Sequence, residues 1–479
     1  MTAAEPTPET WNQREESELR QWVLKDPGVR ALIVSRLAAS LGITALSYGT
    51  MVYLATVGAS QFTISLVGGT QYLAALLFGI GGGALAEATS KRRAMVVPYL
   101  LQAVACFVVP AVWGASVSSL IVLVFVVAML GQVATPALKA ATALVSTPAM
   151  VAVVAAMISI ASGIGAAIGS AFLAPMLIKV ASLETLLYVT GGVLALGAVR
   201  AIGLPGEMGT IPLRRAMREI AWRTTVPSLK RTAAWLWENR TVAAMILIGS
   251  IVLALFDGLN TLMPVYVRDV LGADPTNTVY ILAPGGLGFL AGTLLGPWLM
   301  DRHGERALGV MALTILSLGY VLFGLIDLIW PVLAPVSPLR LLTLAGIDLS
   351  PRMQAVGLIS ILTALGSTGA GAAVQTYINR YVILARQPST FGMQEVLDNS
   401  IALIAILSLG ALSTAIGPKL VFVLAPPLII GAVIALIRVC FRVTDRDPPA
   451  ARAILKALLD PSREGDPRLA GRPAGGDGP

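Results

Sequence analysis

The sequence predicts an all-α membrane protein with twelve transmembrane helices, and three observations carry that prediction. Hydrophobic residues make up 56% of the 479 and charged residues 13%, where a soluble protein has roughly 25% charged, and mean hydropathy is +0.80. The apolar residues fall into twelve continuous runs close to the ~20 residues that a spanning helix needs. The cations fall on one side: 27 of the 34 Lys and Arg lie in the two termini and in every second loop, and five lie in the others. In lipid the backbone must satisfy its own hydrogen bonds, which leaves helices or a closed barrel. The runs are unbroken and do not alternate with period two, so they are read as helices.

Residues 1–28 are polar and acid-rich, with Glu15, Glu16 and Glu18. They lack a basic start followed by an apolar core, so no cleaved signal peptide is expected and the first span serves for insertion. The predicted spans run from about 30 to 57, 63 to 86, 94 to 113, 119 to 144, 149 to 178 and 183 to 203. A basic stretch to residue 240 follows, with Arg214, Arg215, Arg218, Arg223, Lys230 and Arg231 among Leu213, Met217, Ile220, Trp235 and Trp237. Basic amphipathic pieces of this kind lie along an anionic membrane face; a partner-binding helix is the alternative. Six further spans run from about 241 to 266, 277 to 300, 308 to 331, 353 to 377, 393 to 416 and 419 to 441. The tail from 443 is rich in Pro, Gly, Asp and Arg and is expected to be disordered. The excess of cations in alternate loops places both termini in the cytoplasm of a cell-membrane protein.

Several function classes drop out at this stage. The net charge of +8 is accounted for by the loops, so no nucleic-acid partner is expected. Cys106 and Cys440 both lie in apolar runs and suggest no disulfide framework. His303 is the sole histidine, so no metal site is expected. No Gly-x-x-x-x-Gly-Lys-Ser/Thr string occurs, which removes the phosphate-cradling loop of an ATP-driven pump. No His cluster, Cys–His pair or helically spaced carboxylate pair lies in the spans, so neither catalysis nor a cofactor is expected.

Between the second and third runs stands Gly83-Ala84-Leu85-Ala86-Glu87-Ala88-Thr89-Ser90-Lys91-Arg92-Arg93. So few polar residues between two apolar runs read as a tight hairpin at a membrane surface. Gly83 would let the end of span two approach a neighbour, and Glu87 could meet a helix N-terminus or an arginine. The stretch has a partial copy 214 residues on, where Leu299, Asp301, Gly304 and Arg306 stand for Leu85, Glu87, Ser90 and Arg92; Arg302 follows Asp301 as in the family pattern. This spacing resembles the loop 2–3 signature of the major facilitator superfamily of secondary transporters. The resemblance implies two pseudo-symmetric six-helix halves, residues 29–203 and 241–442, joined by a cytoplasmic linker at 204–240. It also implies that the acid docks on span eleven and holds a cytoplasmic gate shut. Glu87 replaces the usual Asp, and Ser90 a Gly.

Small residues recur every fourth position at Gly165 and Gly169 in span five and at Gly288, Gly292 and Gly296 in span eight, a pattern that seats one helix on another. The resemblance implies that these two spans meet between the halves. The proline that marks many exporters in span five is missing, and Ala166 is a plausible occupant of its place. Ionisable residues inside spans are costly and therefore functional by default. Asp257 in span seven is the acid that a proton-coupled carrier would use, with a water-exposed vestibule acid as the alternative. Its counterpart at the 214 offset is Ile43. Arg36 in span one either snorkels or pairs with an acid, and Arg36-Leu37-Ala38-Ala39-Ser40-Leu41-Gly42 resembles the first span of siderophore-exporter-like members. Lys139, Asp327 and Asp398 read as boundary residues. Tyr48, Gln71, Gln132 and Asn260 are candidates for lining a substrate cavity, each with bonding to a neighbouring helix as its alternative. Leu229–Arg240 also resembles the exporter-type members. The expectation is a monomeric carrier in the lipid bilayer, working by alternating access and coupled to protons, that exports a small amphipathic or apolar compound. A lysolipid-moving carrier of the same fold and a non-transporting membrane sensor stay open beside it.

Overall fold

The computed structural model describes residues 26–146, 150–204, 222–344, 346–383 and 386–442. Most of the N-terminal segment, the linker residues Arg214, Arg215 and Arg218, and the tail from 443 lie outside them. Every regular element among the described residues is helical. Twelve of the helices are long and apolar enough to cross a membrane. Spans one to four are Pro27–Thr56, Gln61–Ala88, Lys91–Trp113 and Val117–Val145. Span five begins as Val151–Ala167, passes through a π-helical turn at Ile168–Leu173 and ends as Ala174–Val180. Spans six to eight are Leu183–Ala201, Arg240–Thr261 and Val279–His303. Spans nine to twelve are Glu305–Gly324, Pro351–Tyr381, Gln387–Ile416 and Pro418–Arg442.

Several spans start earlier than hydropathy alone predicts, because polar caps extend the helix beyond the apolar run. The Asp26 carboxylate accepts from the Val29 amide. Ser90, Ser116, Ser182 and Ser350 each accept from the amide three residues on, which satisfies donors that a helix start leaves open. Span seven stops at Thr261, and a separate helix, Met263–Asp269, begins with Pro264 in its first turn, a position where the missing amide costs nothing. Span nine is likewise shorter than its apolar run, and Ile326–Leu333 forms a helix of its own.

The chain divides into two compact units, Met1–Thr50 with Leu77–Ala221, and Met51–Leu76 with Trp222–Pro479. The second unit therefore contains the end of span one and the start of span two. Ala55 offers its carbonyl to Arg268 Nη1 at 3.0 Å, Gln61 donates to Asp269 at 3.0 Å, and the Phe62 amide donates to Thr414 at 3.1 Å. Ser65 fills the space above Gly410, where a Cβ would lie 2.1 Å from its hydroxyl oxygen. The core of this unit is an aromatic group of Tyr266, Tyr320, Phe323 and Phe422. The Tyr266 hydroxyl is satisfied by the Phe323 carbonyl at 2.7 Å. In the first unit, Leu32, Met95, Tyr99, Ala137 and Val154 form a second core.

Candidate functional site

Asp257 lies on span seven beside Gly258, where a Cβ would come within 2.7 Å of Leu409 Cδ1. That missing side chain lets span eleven lie close to the acid. The carboxylate accepts from the Tyr72 hydroxyl of span two at 2.5 Å, and no base pairs with it among the described residues. Two turns earlier on the same face, Ser250 donates its hydroxyl to Asp398 of span eleven. Asp398 is the twelfth residue of its helix, about 16 Å from the helix start. The boundary reading of Asp398 is therefore corrected: span eleven starts at Gln387 and carries the acid inward. Asp398 lies within electrostatic reach of Asp257, so the second unit holds two acids, on spans seven and eleven, spaced along one side of span seven.

The first unit holds an embedded cation. Arg36 Nε donates to Ser162 Oγ of span five at 2.6 Å, and Ser40 donates to the Ser162 carbonyl at 2.7 Å. Spans one and five approach this closely because of the small-residue stripe. A Cβ at Gly165 would lie 2.6 Å from the Leu37 carbonyl oxygen, and one at Gly169 2.4 Å from that of Leu41. The other stripe faces span ten: a Cβ at Gly288 would lie 2.0 Å from the Ile361 carbonyl oxygen, at Gly292 2.9 Å from Thr368 Cβ, and at Gly296 3.9 Å from Ala372 Cβ. Each stripe thus seats its helix on another helix of its own unit. Arg36 and Ser250 are themselves 214 residues apart, so the repeat places a cation on span one and a hydroxyl on span seven at equivalent positions.

The remaining cavity candidates divide between the units. Tyr48 is buried, and the Gln132 amide donates to the Ala128 carbonyl at 3.4 Å with its Oε1 beside Gly79; both belong to the first unit. Gln71 is exposed and Asn260 half-buried, and both belong to the second.

In the first hairpin, the close approach belongs to Gly82 and not to Gly83. A Cβ at Gly82 would lie 2.4 Å from the Gln132 carbonyl oxygen, whereas one at Gly83 would meet only Pro136 Cγ at 4.0 Å. Glu87 is exposed and Arg92 half-buried. Lys91 Nζ donates back to the Ala86 carbonyl at 2.8 Å. Ser90 caps span three with φ −59°, but its counterpart Gly304 has φ +81°, so the two hairpins turn by different means. Asp301 and Arg302 are exposed, with Arg302 over the Trp298 ring. Arg306 is buried, stacked on the Tyr377 ring and bonded to its hydroxyl at 3.2 Å. Next to it, Glu305 is fully buried and pairs with Arg380 at 2.6 Å. Among the described residues no group of three or more His, Cys, Asp or Glu side chains is placed to hold a metal ion.

Twelve apolar helices with charges held in their interiors define a multi-pass membrane protein of the carrier type. The family model of the Major Facilitator Superfamily matches residues 31–349, and the chain belongs to that superfamily. No curated protein matches the chain in sequence. Solved structures share its fold. A bacterial homolog of the human lysosomal transporter Spinster, in an inward-facing and occupied conformation, superposes with a TM-score of 0.65 at 13% identity, covering 90% of this chain and 98% of that one. A POT family transporter in complex with 5-aminolevulinic acid gives 0.63 at 12%, covering 87% and 97%. The nucleoside transporter NupG gives 0.60 at 14%, covering 87% and 99%.

Proposed function

We propose that this chain is a proton-coupled exporter of a small amphipathic or apolar compound, working by alternating access, with both termini in the cytoplasm of a cell membrane. The observation that carries the reading is Asp257: a carboxylate inside span seven, bonded to the Tyr72 phenol and paired with no base among the described residues. A carboxylate with no fixed counter-charge in a low-dielectric setting can be neutralised by taking a proton. The phenol bond links that event to span two, since a hydrogen bond to an ionised acceptor is stronger than one to a neutral acceptor. The low count of charges inside the spans argues against a multiply charged cargo and favours a compound with one polar end.

The test uses inverted membrane vesicles with an acid interior and a panel of fluorescent amphipathic compounds. Addition of a cargo should discharge the pH gradient in vesicles carrying the wild-type chain. With Asp257→Asn, discharge should disappear while binding of the same compound persists. Equal discharge by the variant would remove Asp257 from the coupling and with it this reading.

A further inference from the structure

Arg36 is the tenth residue of the 30-residue span one, about 13 Å from the helix start, which places it about one turn inside a hydrocarbon layer about 30 Å thick centred on the helix. Unlike Asp257, it cannot shed its charge, because a guanidinium stays protonated in proteins. Its counter-charge has to come from somewhere. The acids among the described residues of this unit are elsewhere: Asp26 caps span one, Glu87 lies at the exposed hairpin and Glu184 in the first turn of span six. Arg36 forms no ion pair among the described residues. Of its five N–H donors, the Nε proton goes to Ser162, and the hydrogen bonds described use neither terminal nitrogen.

A second observation points to the same place. The Tyr99 hydroxyl of span three is fully buried and lies within hydrogen-bonding reach of the Arg36 guanidinium, which can only donate to it, so its own proton has no acceptor among the described residues. A buried hydroxyl proton left without an acceptor is costly, so a donor held in this way needs one. The local acceptors are engaged: Ser162 Oγ takes Arg36 and the Ser162 carbonyl takes Ser40. In the second unit, the equivalent Ser250 meets an acid that the chain supplies, Asp398. Around Arg36 the described residues of this unit supply donors and a cation, and no anion.

We infer that Arg36 and Tyr99, with Ser162 orienting the guanidinium, form a binding site for the anionic group of an amphipathic ligand: a carboxylate, a sulfonate or a phosphate diester. The inference rests on the carrier reading for its biological sense and gives that reading a substrate class, an amphipath with a single negative charge. A lipid headgroup and a free amphipathic anion present the same chemistry to this site.

The test is equilibrium binding to the purified full chain in phosphatidylcholine nanodiscs, with empty discs subtracted. Three probes share one ring system: 2-naphthalenesulfonate, 2-naphthalenemethanol and 2-naphthylmethylammonium. The sulfonate should bind about tenfold or more tighter than the other two, as expected for charge-assisted hydrogen bonds. Arg36→Gln should lower it to the level of the alcohol, Arg36→Lys should retain part of the preference, and Tyr99→Phe should weaken the sulfonate alone. If Arg36→Gln fails to fold, as judged by gel filtration, the Lys and Phe variants carry the test. Phosphatidylglycerol added to the discs separates the sources. Loss of sulfonate binding there supports the site with a lipid headgroup as occupant, and unchanged binding supports it with a free anion. Equal binding of the three probes, or a preference unchanged in the variants, overturns the inference. That outcome leaves the gradient-discharge test of Asp257 untouched, because the present readout is binding and not flux.

Discussion

Two glycines of the same stripe should respond to the same substitution with opposite signs. At Gly288 an added Cβ would lie 2.0 Å from the Ile361 carbonyl oxygen, whereas real Cβ atoms essentially never come closer than 3.0 Å. The obstacle is backbone of span ten, which cannot swing aside, so the two helices must separate by about 1 Å, the difference between 3.0 and 2.0 Å. Overpacking of that kind costs about 1–3 kcal/mol, and the helix gains only about 0.5–1 kcal/mol from replacing Gly by Ala. Gly288→Ala should therefore destabilise the protein by about 1–2 kcal/mol. At Gly296 the added Cβ meets only Ala372 Cβ at 3.9 Å, an ordinary contact. Gly296→Ala should be neutral or stabilising by up to about 1 kcal/mol. Thermal unfolding of both variants, purified in one detergent and followed by tryptophan fluorescence, compares them directly. Equal midpoints, or the larger loss at Gly296, would refute the seating of span eight on span ten.

Two further outcomes follow from the ion pairs. Arg380→Met leaves the fully buried Glu305 carboxylate without its cation; because Arg380 itself is 58% exposed, the loss should be about 1–2 kcal/mol, short of a fully buried pair. Glu305→Gln in the same background should recover part of the unfolding midpoint. At the opposite end, the hydrogen bond from Lys419, with the nearby charges of Lys419 and Arg352, holds the Asp327 carboxyl below its ordinary value. Its folded pKa is depressed, so its contribution is present above the ordinary carboxylate value near 4 and is lost as pH falls through the lower folded value. Lys419→Gln should flatten the fall of the unfolding midpoint between about pH 4 and 3; an unchanged slope would remove the pair from the stability of the fold.

The twelve spans are legible in the sequence because hydropathy and charge position are local properties, and only the ends moved: caps at Asp26, Ser90, Ser116 and Ser350 start four spans early, span eleven starts early without a side-chain cap, and spans seven and nine stop short. The site is legible to a smaller degree. Asp257 and Arg36 announce themselves as charges in apolar runs. Tyr72 does not, since a tyrosine in a span is unremarked until its hydroxyl is seen on a carboxylate 185 residues away. Asp398 was hidden by a span boundary set six residues late. Glu305, Tyr377 and Arg380 sit beside the second hairpin copy, and a search for acids flanking the motif would have found Glu305. Gly82 could not be told from Gly83 by pattern, because adjacent glycines point about 100° apart around a helix, and only the neighbour decides which one is needed.

The π-helical turn at Ile168–Leu173 follows Gly165 and includes Gly169, the two glycines that seat span five on span one. Such a turn holds one residue more than an α-helical turn, and one residue is worth about 100° of rotation and 1.5 Å of rise. It works as an adjustable joint in the sequence. A single deletion in its part after Gly169 would restore regular helix and turn the face shown by Ala174–Val180, while Arg36, Ser162, Gly165 and Gly169 kept their places. The C-terminal end of span five can therefore be re-aimed by a deletion without disturbing the cation held near its other end.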